Sequence, residues 1–207
     1  MWNTRQRTYL LFYKPFGVLS QFTHEAGRAS LRDYGPFPRD VYPVGRLDAD
    51  SEGLLLLTND NSVKHRLTEP TFDHPRTYLV QVERIPTEEA LDRLRKGVVI
   101  EGKKTKPAEV TLLKREPDVP PRPVPIRFRK NVPTSWLEIT IREGRNRQVR
   151  KMTAAVGYPT LRLIRTQIAY LSIEGLEPGS FRALTPLEVS KLRSYLGLPL
   201  STENRAK

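Results

Sequence analysis

The apolar positions of this chain fall in short blocks of two different periods. Residues 8–13 form a nearly unbroken apolar run that stops at Lys14-Pro15-Phe16-Gly17, the pattern of a buried strand followed by a turn. Residues 17–22 are expected to return as a second strand. After a Gly/Pro-rich stretch over 35–43 comes Gly45-Arg46-Leu47-Asp48, then a short buried strand over 53–58, with Asp60 placed to cap a helix ending at Leu67. Residues 77–83 alternate, with Tyr78, Val80 and Val82 on one side. Pro86 and Thr87 open a helix that carries Glu88 and Glu89 in its first turn. Arg93, Arg95 and Lys96 fill its last turn, and Gly97 stops it, the charge order a helix dipole favours.

Strands are expected at 98–100 and 109–113. Residues 116–133 then hold six prolines and four basic residues (Arg122, Arg127, Arg129, Lys130), which reads as an irregular basic loop. A strand over 136–141 turns Leu137, Ile139 and Ile141 one way. Residues 147–156 follow with helical spacing, Val149, Met152, Thr153 and Val156 sharing a face before Gly157. Further strands are expected at 160–165, 168–172 and 181–184. Thr185-Pro186-Leu187-Glu188 is a capping box with proline at the first helical position, opening a last helix over 186–196. No internal repeat is visible. The pattern predicts one α+β domain over 8–197, with two lobes, between a short extension (1–7) and a flexible tail (198–207).

Composition narrows the chemistry. The chain has 207 residues and a net charge of +12 from 35 Lys and Arg against 23 Asp and Glu, an excess that favours a polyanionic partner such as RNA or DNA. The charge is uneven: residues 1–70 carry 9 basic and 8 acidic side chains, 71–130 carry 14 and 9, and 131–207 carry 12 and 6. With no cysteine, thiol nucleophiles, disulfides, iron–sulfur clusters and Cys-ligated zinc are excluded. The three histidines, His24, His65 and His74, sit at no metal-ligand spacing, so no structural metal site is expected. Neither a signal peptide nor a run approaching the roughly 20 apolar residues of a membrane span is present. A cytoplasmic protein, monomeric and away from membranes, is the expectation.

Two segments concentrate polar chemistry. Gly45-Arg46-Leu47-Asp48-Ala49-Asp50-Ser51-Glu52-Gly53 puts three carboxylates just ahead of a buried strand, which fits either an acidic surface loop with a glycine turn or an acid set in a cleft. Glu143-Gly144-Arg145-Asn146-Arg147-Gln148-Val149-Arg150-Lys151-Met152 gathers cations where a helix N-terminus also points. That suits phosphate-backbone contacts, with Asn146 or Gln148 near a base edge; the alternative is a solvated basic helix face. Tyr78, in Arg76-Thr77-Tyr78, reads by itself as cross-strand packing. The chain has no Gly-x-Ser-x-Gly elbow and no Walker-type phosphate loop, which disfavours a triad hydrolase or an NTPase. Asp48 and Asp50 are too close in sequence to flank a sugar without a second element.

Together these segments resemble the small-ribosomal-subunit-type branch of RNA pseudouridine synthases, from about Tyr9 to Thr185 and in the right order. The resemblance is carried by Lys14-Pro15-Phe16-Gly17-Val18-Leu19, by the stretch from Tyr42 to Asn59 around Gly45-Arg46-Leu47-Asp48, by Arg76-Thr77-Tyr78 (with Arg where the family has Lys) and by Glu143 to Met152. Within the branch, Ser20-Gln21-Phe22-Thr23, the Pro/Arg insertion before Trp136 and Pro159-Thr160-Leu161-Arg162-Leu163-Ile164-Arg165 are most similar to members acting on 23S rRNA. Many relatives carry a small N-terminal RNA-binding domain; only about eight residues precede the first strand here, so that domain is expected to be absent. The resemblance implies a mixed, largely antiparallel sheet in two lobes around a central basic cleft. It implies isomerisation of uridine to pseudouridine in 23S rRNA, at uridine 2457 by analogy, without a cofactor. It makes Asp48 the essential acid, Arg150 its basic partner and Tyr78 the ring that packs on a flipped uracil. Val149 and Leu47 would wall the base. Arg46, Arg145, Asn146, Arg147, Gln148, Lys151, Arg162, Arg165, Arg127, Arg129 and Lys130 are the expected RNA contacts. A non-catalytic rRNA-binding assembly factor is the alternative; it leaves the trio Asp48, Tyr78 and Arg150 without a purpose.

Overall fold

The computed structural model describes residues 7–25, 27–126 and 129–200. In chain order the elements are β1 (Tyr9–Lys14), β2 (Tyr42–Pro43), β3 (Glu52–Thr58), α1 (Asn61–Thr68), β4 (Arg76–Glu83), α2 (Glu88–Lys96), β5 (Val99–Ile100), β6 (Lys103–Lys104), β7 (Glu109–Leu112), β8 (Thr134–Ile141), α3 (Gln148–Ala155), β9 (Thr160–Ile168), β10 (Leu171–Ser172), β11 (Phe181–Ala183) and α4 (Pro186–Tyr195). One sheet runs β11-β1-β3-β9-β4-β8-β7, with β2 beside β3 and β10 beside β9. Every pairing is antiparallel except β3 with β9. The sheet is therefore two antiparallel halves, the expected lobes, joined where Glu52 and Gly53 pair with Ile164 and Arg165.

That junction explains the unpatterned apolar run before Asn59. On β1 and β3, Leu10, Phe12, Leu55 and Leu57 enter one apolar cluster, while Leu11, Tyr13, Leu54 and Leu56 enter another on the opposite face. Strands buried on both faces need no alternation. Gly53 is where side-chain bulk is excluded: at φ +110, a Cβ there would sit 2.3 Å from the Arg165 carbonyl oxygen. In the other half, Tyr78, Val80, Val82, Leu137, Ile139 and Ile141 share a cluster with Ala90, Leu91 and Leu94 of α2 and with Val149 and Met152 of α3. Alternation in β4 and β8 thus reports one face packed on helices, as the spacing predicts.

Two expectations are corrected. Residues 17–22 form no strand; Leu19 makes only an isolated bridge with Ser30, because both edges of β1 are already taken by β3 and β11. The expected strands 160–165 and 168–172 are divided differently: β9 runs to Ile168, since Gln167 and Ile168 resume the pairing with Thr77 and Arg76 past the register shift at Thr166, and the turn falls at Ala169, whose φ is +53. The two-residue strands β2 and β6 carry no pattern that could announce them. The extension and tail fall largely outside the described residues.

The caps match their sequence signals. Asp60 accepts from the Ser62 and Val63 amides at the start of α1 and also takes the Tyr9 hydroxyl at 2.7 Å and Arg193 of α4, tying three elements at one buried carboxylate. Thr185 and Glu188 close their capping box, and Arg182 of β11 grips the Glu188 carboxylate with two hydrogen bonds of 2.8 and 2.9 Å. Arg182 holds the Glu188 carboxyl down at about 2, against an ordinary 4.5. A depressed acid stabilises the fold fully above its unfolded value and loses that contribution as pH falls toward its folded one. Glu188→Gln is expected to cost about 1 kcal/mol at neutral pH, limited by solvent screening of this surface pair. In urea titrations the gap between wild type and variant should narrow as pH falls from about 4.5 toward 2. A gap that does not change with pH would remove the charge from the explanation.

Candidate active site

The segment from Gly45 to Ser51 has almost no regular structure, yet each of its central carbonyls is tied down. Ser20 Oγ donates to the Leu47 oxygen at 2.8 Å and accepts from the Leu47 amide at 3.1 Å. The Asp48 oxygen accepts from the Ser51 amide at 3.1 Å, and the Ala49 oxygen from the Gly17 amide at 2.7 Å. Arg150 Nη2 donates to the Asp50 oxygen at 2.6 Å. Lys14, fully buried, donates to the Pro15 and Val18 oxygens and reaches the Ala49 oxygen at 3.4 Å. Burial pulls its pKa down to about 7, with Glu52 the first charge opposing that fall. The turn after β1 thus clamps the loop that carries Asp48. An irregular backbone held at this many points presents a side chain as firmly as a helix would.

Asp48 opens into a cleft of about 900 Å³. Leu47, Tyr78 and Val149 also line it and belong to one apolar cluster. Arg165 forms part of its floor, opposite Tyr78 in the β4–β9 ladder, where the register shifts between Thr77 and Tyr78. The Arg165 side chain is buried; Nε donates to the Leu54 oxygen at 2.8 Å, while Nη2 makes no hydrogen bond. Burial lowers its pKa and the neighbouring Tyr78 pushes it back up. Three distant stretches of chain therefore bring one carboxylate, one phenol and two apolar walls to the same opening.

The cations around the acid are arranged differently from the expectation. Arg150 does not pair with the Asp48 carboxylate; it holds the Asp50 carbonyl, and its Nε lies 3.5 Å from the Asp50 carboxylate. The cation beside Asp48 is Arg147, with Nη1 3.5 Å from Oδ2. Arg147 also grips Asp50 with two hydrogen bonds of 2.8 and 2.9 Å. The cause is the α3 entry: Arg147 adopts a left-handed φ of +49 ahead of the helix and turns its side chain to the loop, while Arg150, one turn on, reaches beneath it. Burial would raise the Asp50 pKa, but the Arg147 hydrogen bonds and the Arg150 charge outweigh it and leave the carboxyl below its ordinary value.

Several expected RNA contacts are occupied inside the protein. Arg162 makes a buried bidentate pair with Glu52, both bonds 2.8 Å, and donates to the Pro120 oxygen as well. Arg165 is likewise interior, with Nε on the Leu54 oxygen. Gln148 is buried and clasps the turn ahead of α3, accepting from the Arg145 amide and donating to Glu143. Arg145 donates to the Ile100 and Lys103 oxygens, and Lys151 pairs with Glu101 and reaches Asn146. Arg129 and Lys130 line a separate hollow beside Glu83, away from the cleft, and Arg127 lies outside the described residues. Arg46, Asn146 and Arg147 remain exposed at the cleft, where Arg145 also lines the wall. Ser20, Arg76 and Arg122 were given no place in the expected site. Arg76 lines the cleft and donates to the Leu67 oxygen at 2.8 Å.

The chain is similar to known proteins over most of its length. The family model described as RNA pseudouridylate synthase matches residues 8–155. The chain is 52% identical over 171 residues to the ribosomal large subunit pseudouridine synthase E of Xanthomonas axonopodis pv. citri, covering 82% of this chain and 90% of that one. It is 48% identical over 182 residues to the protein of the same name from Vibrio parahaemolyticus, covering 88% and 76%. A crystal structure of a pseudouridylate synthase superposes with a TM-score of 0.75 at 29% identity, covering 90% of this chain and 74% of that one.

Proposed function

Because the chain belongs to the RNA pseudouridylate synthase family, we propose that it converts one uridine of large-subunit (23S) ribosomal RNA to pseudouridine. The reaction breaks the N1–C1′ bond, turns the uracil within the site and joins C5 to C1′. Substrate and product are isomers: the C5 proton leaves, N1 ends protonated, and no electrons are exchanged. Asp48 works at the sugar, either adding to C1′ or taking the C2′ proton, and both routes need an ionised carboxylate facing the cleft. Tyr78 packs on the uracil, with its hydroxyl at hand for the C5 proton, while Leu47 and Val149 hold the base dry. Arg150 serves as a positioning residue for the Asp48 loop, and Arg147 supplies the positive charge beside the acid.

The uridine must first leave its stack, at a cost of a few kcal/mol that pocket and phosphate contacts offset. The observation that carries this reading is the convergence of Asp48, Tyr78, Leu47 and Val149 on one opening. A simple RNA-binding protein gives no reason for an apolar slot with a carboxylate at its mouth. The target is uridine 2457, the substrate is met in the cytoplasm, and the enzyme acts as a monomer. The test is tritium release from 23S rRNA labelled at uridine C5, presented both free and within large-subunit particles, with the modified position then mapped. Release of one equivalent at a single uridine is expected. RNA bound without release from either substrate would leave a binding protein.

A further inference from the structure

Beside the catalytic cleft lies a second cavity of about 450 Å³, whose walls include Phe16, Asp50, Arg122, Arg147, Arg150 and Thr160. Asp50 and Arg147 line both openings, so their ion pair is the partition between them. The side cavity faces three guanidinium groups with a single carboxylate. Arg122, from the proline-rich loop, lies 4.2 Å above the Phe16 ring and is anchored by its Nε on the Val124 oxygen. Its two terminal nitrogens have no hydrogen-bond or ion-pair partner among the described residues. Arg150 Nε is buried and makes no hydrogen bond, only the 3.5 Å ion pair with Asp50. Burial is the largest influence on both groups and pulls each below the ordinary arginine pKa, so these charges are partly stripped of water without being fully neutralised.

A guanidinium held flat by an aromatic ring, with donors unspent, matches the oxygens of a phosphate. We infer that this cavity is a subsite for a phosphodiester of the RNA strand next to the target uridine, held chiefly by Arg122 with Arg150 behind it. A strand whose uridine enters the cleft passes over the Arg147–Asp50 partition, and its neighbouring phosphate falls into the side cavity. Phe16 sets the Arg122 plane by cation–π contact. The placement also gives the proline-rich loop a purpose that its outward cations, Arg129 and Lys130, do not. The subsite deepens the proposed function and rests on it.

The test uses an RNA fragment that the wild-type enzyme converts, with single methylphosphonate linkages placed in turn on either side of the modified uridine. Wild-type affinity is expected to fall about tenfold at one linkage only, the size of one charge-assisted hydrogen bond. Arg122→Gln should bind unmodified RNA about tenfold more weakly, show no further loss at that linkage, and reduce the salt dependence of log Kd by about one counterion. Arg122→Lys should recover part of the affinity. Losses that multiply independently at every linkage, or an Arg122→Gln protein that binds like wild type, would overturn the subsite while leaving the activity intact. Weakening by free inorganic phosphate that Arg122→Gln abolishes, without any linkage effect, would make it a phosphate site unrelated to the RNA path and overturn it too. A wild type that converts no RNA would overturn both readings.

Discussion

Asp48→Asn should lower pseudouridine formation on the order of a thousandfold or more while changing fold and RNA affinity little. An amide neither adds to C1′ nor accepts a proton from C2′, so either route fails at its first step. The substitution keeps the shape of the side chain. The loop does not depend on that carboxylate: its carbonyls are held by Ser20, Ser51, Gly17 and Arg150 through the main chain. Arg147 keeps its tighter bonds to Asp50. Single-turnover tritium release, beside a melting curve and a filter-binding isotherm, separates the three quantities. Turnover within tenfold of wild type would remove Asp48 from the chemistry. A parallel collapse of affinity would show it to be a binding residue.

The largest expected loss of stability comes from Glu52→Ala. Glu52 and Arg162 keep only 4% and 8% of their side-chain surface exposed and share two 2.8 Å hydrogen bonds. Removing the carboxylate leaves a guanidinium uncompensated beside the β3–β9 junction and deprives buried Lys14 of its first-ranked opposing charge. Breaking one side of such a pair costs about 3–5 kcal/mol, which for a domain of this size lowers the melting midpoint by roughly 6–20 °C. Replacing both partners, Glu52→Met with Arg162→Met, should cost less, because no guanidinium is then stranded and only the loss felt by Lys14 remains. A single variant within about 1 kcal/mol of wild type would mean that water reaches the pair and that the junction is held by its apolar neighbours. Arg162→Met alone should show the same asymmetry: lost stability with RNA affinity retained in the protein that remains folded, since its guanidinium faces Glu52 and Pro120.

The periodic elements were legible because their signals are local. Tyr78, Val80 and Val82 alternate because one face of β4 meets α2 and α3, and Thr185 with Glu188 announces α4 because a cap is made within four residues. The family motifs likewise marked Asp48 and Tyr78, and the structure brings both to one cleft. Which cation meets which anion was not legible. Arg147, Arg150, Arg162 and Arg165 read alike in a basic chain, yet one faces the cleft mouth, one holds a loop carbonyl, one is sealed against Glu52 and one lies beneath Tyr78. Their partners are 97 to 111 residues away for the first three of these contacts and the Leu54 bond of Arg165. The sequence by itself determined most of the elements and the family, and marked the carboxylate proposed for the reaction. Only the tertiary structure decided the charge pairing, because a long guanidinium takes its role from whatever the parallel β3–β9 junction and the α3 entry place within its reach, and no local pattern encodes those neighbours.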